Sequence, residues 1–168
     1  MNMSFPYSSE LPYPPIEVKE KNPLYTAQIL SNIGGENSEM SAVASYFYCN
    51  LVTHDYQNIS NAFHYISIIE MKHLEIFGKI SLQLGSDPRL WKKTNRGMIY
   101  WSPNYIKYPK TLHALLTNAL QGEIAAINKY KKQCETIKND NIVKNLERII
   151  EDEKIHVEIF KELISNIK

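Results

Sequence analysis

The octamer EMKHLEIF at residues 70–77 returns as EKIHVEIF at residues 153–160, 83 positions further along the chain. Both copies lie inside rows of apolar residues spaced alternately by four and three, the period of a helix face buried in a bundle. The first row reads Ile, Phe, Ile, Glu, His, Phe, Ile, Leu at positions 59, 63, 66, 70, 73, 77, 80 and 84. The second reads Ile, Leu, Ile, Glu, His, Phe, Leu, Ile at positions 142, 146, 149, 153, 156, 160, 163 and 167. A Glu and a His therefore interrupt each buried row at its centre.

The composition is that of one globular domain. The chain has 168 residues, of which 43% are hydrophobic and 22% charged, and its formal net charge of +1 gives no indication of a nucleic-acid partner. We expect neither a membrane span nor a secretory signal, because no apolar run is long enough for either. Cys49 and Cys134 are isolated from each other in sequence. They predict free thiols and a cytoplasmic location.

The order of patterns along the chain predicts an all-α four-helix bundle. Residues 1–23 contain five prolines and are predicted to form an extended arm, followed by the bundle over residues 24–168. Asn22 and Pro23 are typical of a helix start. Helices are predicted over about 23–53 with a break at Gly34-Gly35, 55–84, 110–137 and 141–167. Residues 85–109, with three prolines and both tryptophans, are predicted to form a long crossover connection without strands.

The polar centre of each row indicates a metal site. A buried, ionised carboxylate needs a counter-charge. Glu and His three residues apart lie on one face of a helix, so that both can contact the same ion. Carboxylate oxygen and imidazole nitrogen together are a donor set for first-row transition metals.

The other two helices offer matching carboxylates. EMSAVASY at residues 39–46 and EIAAINKY at 123–130 both place Glu first, Ala fourth and Tyr eighth. Their glutamates precede the Glu-x-x-His motifs by 31 and 30 residues, so the chain is a duplicated helix pair. Four carboxylates balance two divalent cations, and one Glu from each of two helices with Glu-x-x-His from the others is the ligand pattern of ferritin-like dimetal proteins. The predicted metal ligands are Glu39, Glu70, His73, Glu123, Glu153 and His156.

Several assignments stay open at this point. Glu36 competes with Glu39, although the repeat favours Glu39. Tyr46 and Tyr130 are predicted either to hydrogen-bond a ligand carboxylate or to be plain core residues. A bundle that has lost its metal and is held by Glu–His hydrogen bonds is the alternative to a metal centre. Side chains outside the two rows are expected at the surface: His54, His64, His113, Glu75 and Glu158.

The quoted motifs resemble the ferritin-like superfamily over most of residues 11–165. LPYP, NP, GGENSEMSAVASY and EMKHLEIF resemble the manganese-catalase and spore-coat branch, whereas GEIAAINKY and DEKIHVEIF are similar to rubrerythrins. The sequence departs from the rubrerythrin pattern in two features. Ala126 occupies the position at which rubrerythrins carry an additional carboxylate, and the rubredoxin module with its C-x-x-C pairs is absent from this sequence.

The resemblance implies an oxidoreductase with two Fe or two Mn ions that reduces or disproportionates hydrogen peroxide, with Glu70 and Glu153 as catalytic carboxylates. It also implies a homodimer, and a separate electron donor if peroxide is reduced. Two alternatives follow from the same relatives. One is iron or manganese binding, or oxidation of Fe(II) by dioxygen, without peroxide turnover. The other is a structural role in a spore coat or a similar assembly.

Overall fold

The computed structural model describes residues 5–167, and within them the chain folds into a bundle of α-helices joined by one long connection. The helices are α1 (Pro23–Gly34), α2 (Glu39–Val52), α3 (Gln57–Gln83), α4 (Leu112–Thr136) and α5 (Asp140–Ser165). α2 packs along α3, and α4 along α5. The predicted four-helix bundle is confirmed, with its first helix divided into α1 and α2. Residues 1–4 of the predicted arm and Lys168 lie outside the described residues.

Polar side chains cap the starts of four of these helices. Asn22, Ser38, Thr111 and Asn139 each accept a hydrogen bond from a backbone N–H two or three residues later. Each bond satisfies an amide that the first turn of a helix cannot pair internally. The predicted start at Asn22-Pro23 is confirmed, since Asn22 is the cap of α1 and Pro23 its first residue.

The break between α1 and α2 falls at the two glycines. α1 ends at Gly34, and Gly35 is extended with φ −76° and ψ 174°. The connection passes directly over Gly34, where a Cβ atom would lie 2.3 Å from the backbone nitrogen of Trp91. The glycine is therefore required by the close approach of another piece of backbone.

The two interrupted rows form the centre of the bundle. All eight positions of the first row are buried, as are seven of the second, with Ile167 half-buried. Apolar clusters lie on both sides of the Glu and His residues, one around Phe77 and the other around Phe63 and Phe160. The polar layer is thus enclosed by hydrophobic packing above and below. Among residues 5–167, no helix combines the length and apolar character that a membrane span requires.

The connection contains a β-hairpin that the sequence did not predict. Strand β1 (Trp91–Thr94) pairs antiparallel with β2 (Gly97–Tyr100), and a single 3-10 turn follows at Pro103–Tyr105. Each strand has only four residues, which is too short to show a two-residue alternation. The turn depends on Gly97, whose φ of +114° is strained for other residues.

Candidate metal centre

The structure brings all six predicted donors together in the middle of the bundle. Glu39 starts α2 and Glu123 lies midway along α4, while α3 and α5 each contribute Glu and His from adjacent turns of one face. None of the six residues is more than 2% exposed. Such complete burial of four carboxylates requires compensating positive charge within the cluster.

The donor atoms form two overlapping groups. One group consists of Glu39, Glu70, His73 and Glu153, and the other of Glu70, Glu123, Glu153 and His156. In each group the atoms lie within 4.8 Å of one another. Glu70 and Glu153 belong to both groups, whereas each remaining Glu and His belongs to one.

The imidazoles turn their Nδ1 atoms toward the shared carboxylates. His73 Nδ1 lies 3.3 Å from Glu70 Oε2 and 3.2 Å from Glu153 Oε1. His156 Nδ1 lies 3.0 Å from Glu70 Oε1 and 3.0 Å from Glu153 Oε2. Within the described part of the chain, Glu70 Oε1 and Glu153 Oε1 are buried and have no partner in hydrogen-bond geometry. Buried oxygens of this kind, facing imidazole nitrogens, fit a pair of divalent cations.

Protonation equilibria in the cluster are strongly shifted. Burial and the charge of Glu70 raise the pKa of Glu39 well above its usual value, and burial with the charges of Glu70 and Glu153 does the same for Glu123. Burial also raises the pKa of Glu70, but hydrogen bonds from the two imidazoles outweigh it and hold that pKa well below the usual value. The carboxyl groups of the cluster therefore differ strongly in their affinity for a proton.

The two tyrosines contact carboxylates across the repeat. Tyr46 of α2 donates its hydroxyl hydrogen bond to Glu123 of α4, and Tyr130 of α4 donates to Glu39 of α2. Both tyrosines are buried, at 3% and 1% exposure respectively. The hydrogen-bonding role considered from the sequence is observed, but each tyrosine binds the glutamate of the other half rather than that of its own.

Sequence reasoning missed Asp152 and Arg148 on α5. Asp152 is fully buried; its Oδ2 atom lies 3.0 Å from His73 Nε2, and its Oδ1 atom lies 2.6 Å from the Arg148 guanidinium. Burial would raise the pKa of Asp152, but hydrogen bonds from His73, Tyr13 and Arg148 lower it to about 2. The signal lay just before the second octamer, because Asp152 precedes Glu153 directly and Arg148 lies one turn before Asp152.

Residues that the sequence placed outside the site remain outside it. Glu36 is exposed, which favours Glu39 as the donor from α2. His54, His64 and His113 are exposed, as are Glu75 and Glu158. The two glutamates pair with lysines of their own helices at the surface.

A cavity of about 340 Å³ extends to the donor cluster between α2 and α4. Its wall includes three of the six donors, Glu39, Glu70 and Glu123. Exposed side chains such as Glu36 and Lys107 border it as well. Small side chains form much of the remaining wall and leave room for a small molecule: Ala42, Ser45, Ala119, Gly122, Ala125 and Ala126.

Comparison with known proteins agrees with this architecture. A family model described as Rubrerythrin matches residues 36–164. The structure of KatB, a manganese catalase from Anabaena PCC7120, superposes with a TM-score of 0.83 at 19% identity, covering 97% of this chain and 80% of KatB. Mycobacterium tuberculosis bacterioferritin, BfrA, superposes with a TM-score of 0.71 at 18% identity, covering 87% of each chain. A sequence search of curated proteins finds no match. At these identities the structural likenesses establish the shared ferritin-like fold.

Proposed function

Because the chain belongs to the rubrerythrin family, we propose that its central cluster holds two iron or two manganese ions and that the protein reduces or disproportionates hydrogen peroxide. The observation that carries the proposal is the convergence of six buried donors on one another, three of which line a cavity with room for a small oxidant. When bound, such a pair of ions supplies reversible two-electron redox chemistry.

The protein's own contribution begins with ligand arrangement. Glu70 and Glu153, which belong to both donor groups, would be available to both ions, while His73 and His156 would each help to hold one of them. The hydroxyl group of Tyr46 holds Glu123 in a fixed orientation through a hydrogen bond. The hydroxyl group of Tyr130 holds Glu39 in the same way. Such outer contacts tune a metal centre as well as orient it.

Proton handling is the second contribution. Glu39 and Glu123 have raised pKa values, caused first by burial, and both border the cavity. In the ionised form that binds metal, they lie where they can accept a proton from a peroxide molecule in the cavity. Of the two carboxylates assigned a catalytic role from sequence, Glu70 is among the residues that line the cavity. Its pKa lies well below the usual value, so it is ionised and available as a ligand.

Turnover by metal-loaded protein tests the proposal. The full chain, loaded with Fe(II) or Mn(II) and analysed for metal content, should consume peroxide above the free-metal background. Oxygen evolution would indicate disproportionation, and dependence on an added reductant would indicate reduction. Glu70→Gln should reduce turnover to background because it removes a shared donor. Glu75→Gln, at an exposed position on the same helix, should leave turnover unchanged.

Absence of peroxide consumption by fully loaded protein would contradict the proposal. If such protein took up dioxygen when Fe(II) was added, the alternative of iron binding and oxidation would replace it. Equal activity in Glu70→Gln and the unaltered chain would show that turnover does not occur at this cluster.

A further inference from the structure

The N-terminal arm, residues 5–22, is fastened along α3 and α5 by its backbone. Arg148 of α5 donates from Nε to the carbonyl of Leu11 at 2.6 Å and from its terminal nitrogen to that of Ser9 at 2.9 Å. Tyr7 packs on Tyr65 of α3 with ring centroids 5.0 Å apart. Side chains that bond the backbone at several points fix the path of a segment that has no helix or strand of its own.

The same stretch of arm contacts one imidazole of the metal centre directly and the other through Asp152 of α5. His156 Nε2 lies 2.9 Å from the carbonyl oxygen of Tyr7. His73 Nε2 lies 3.0 Å from Asp152, which also accepts from the Ser9 amide at 2.7 Å. A carbonyl oxygen only accepts, so His156 Nε2 carries a proton and leaves Nδ1 free to bind a metal ion.

The contacts behind the two imidazoles are chemically different, and the internal repeat shows why. At the repeat offset of 83 residues, Asp152 corresponds to Ile69 and Arg148 to Tyr65. Helix α3 therefore has no carboxylate at the position equivalent to Asp152, the residue that supports His73. In place of that aspartate α3 has Ile69, and its Tyr65 packs against the ring of Tyr7. The backbone carbonyl of Tyr7 supports His156 instead.

From this asymmetry we propose that the arm positions both histidines and makes the two metal positions unequal. The position formed by Glu39, Glu70, His73 and Glu153 should bind a divalent cation more tightly than that formed by Glu70, Glu123, Glu153 and His156. A carboxylate acceptor polarises an imidazole more strongly than a neutral carbonyl and makes its other nitrogen a better ligand. The inference rests on the proposed metal centre and adds an order of filling to it.

Metal occupancy in crystals of the full chain tests the order directly. With one equivalent of Mn²⁺ per chain, anomalous scattering should show higher occupancy at the His73 position. Equal occupancy, or preference for the His156 position, would overturn the inference while leaving the metal centre intact. If neither position held Mn²⁺ at any concentration, the proposed function would fail together with the inference.

Two variants test, one at a time, the contacts that support His73 and His156. Asp152→Asn replaces the charged acceptor by an amide of the same shape and should weaken binding at the His73 position about 10-fold or more, which removes the preference. Tyr65→Ala loosens Tyr7 and should weaken only the His156 position by about 10-fold. Tyr56→Ala, at a similarly exposed tyrosine directly before the start of α3, is the matched control and should change neither.

Stepwise titration with Co²⁺, followed by its visible absorption, measures both affinities in solution. Unchanged affinities in Asp152→Asn and Tyr65→Ala would overturn the positioning role of the arm. Equal weakening of both metal positions by each variant would also overturn the positioning role, because general destabilisation of the chain would produce that pattern. If a variant does not fold, the ratio of Mn²⁺ occupancies at the two metal positions of the unaltered chain still tests the inference.

Discussion

Glu39 and Glu123 have raised pKa values, whereas a metal ion would need both carboxyl groups in ionised form. Burial is the main reason for their raised pKa values, and the neighbouring carboxylates add to it. Burial acts in the opposite direction on the two imidazoles, because it lowers their pKa values. Burial lowers the pKa of His73, but Glu153 and Asp152 outweigh it and raise that pKa well above its usual value; carboxylates likewise raise the pKa of His156. Without metal, these shifts favour binding of protons by the cluster, and those protons would compete with cations for the donor atoms.

Metal affinity should therefore increase with pH. Each of these groups has to lose its proton before its donor atom can bind, so acid competes with the metal and base assists it. The apparent association constant for Mn²⁺ should rise about tenfold per pH unit for every proton displaced. Calorimetric titrations in two buffers of different ionisation enthalpy measure the protons released. Affinity that does not change between about pH 5 and 8 would contradict the charge arrangement described for the cluster.

At the scale of elements, the corner between α1 and α2 is held by the connection that crosses it. A Cβ atom on Gly34 would meet three backbone atoms of Leu90 and Trp91 at 2.3–2.7 Å. Lys129 of α4 adds hydrogen bonds to the carbonyls of Ser31 and Asn37 at 2.9 and 2.8 Å. This corner sets where α2 begins, and hence the position of Glu39.

Gly34→Ala should lower the free energy of unfolding by about 1–3 kcal/mol, because the backbone it meets cannot move aside as a flexible side chain would. Gly78→Ala is the matched control within α3, where the added Cβ would have only an ordinary contact at 3.9 Å. That change should raise the free energy of unfolding by about 0.5–1 kcal/mol through helix propensity. Urea denaturation of both variants measures the difference, and equal stability would show that the corner is not tightly packed.

The sequence predicted the helices more completely than the long connection at residues 85–109. The rows through Phe63 and Phe160 specify α3 and α5 because a sustained period reports which face is buried. Capping residues such as Asn22 specify where helices start. The hairpin at 91–100 was missed because it is stabilised by cross-strand pairing between very short strands rather than by any period in the sequence.

At the scale of the whole molecule, the bundle has a polar layer between two apolar clusters. The layer contains donors from four helices, α2 to α5, so an ion bound there would link all of them. The clusters around Phe77 and Phe63 pack against the layer from its two sides along the bundle. Binding to such a layer stabilises the folded chain because the unfolded chain does not bring the donors together.

Metal binding should therefore raise the melting temperature. At a free Mn²⁺ concentration 100 times the dissociation constant, the stabilisation is about 2.7 kcal/mol. For a chain of 168 residues this corresponds to a rise of roughly 5–11 °C. Thermal melts followed by circular dichroism, with Mn²⁺ and again after a chelator, measure the change. A melting temperature that did not respond to either reagent would contradict a metal centre that spans the bundle.

The sequence by itself determined the helices, the duplication and the six donors, because helical periodicity assigns residues to faces and a buried charge needs a partner. Only the tertiary structure decided which groups support those donors. Tyr130 binds the glutamate of the opposite half, and the Tyr7 carbonyl contacts His156. Such contacts join segments as many as 149 residues apart, and they depend on which helices adjoin and at what depth. No local pattern contains that information.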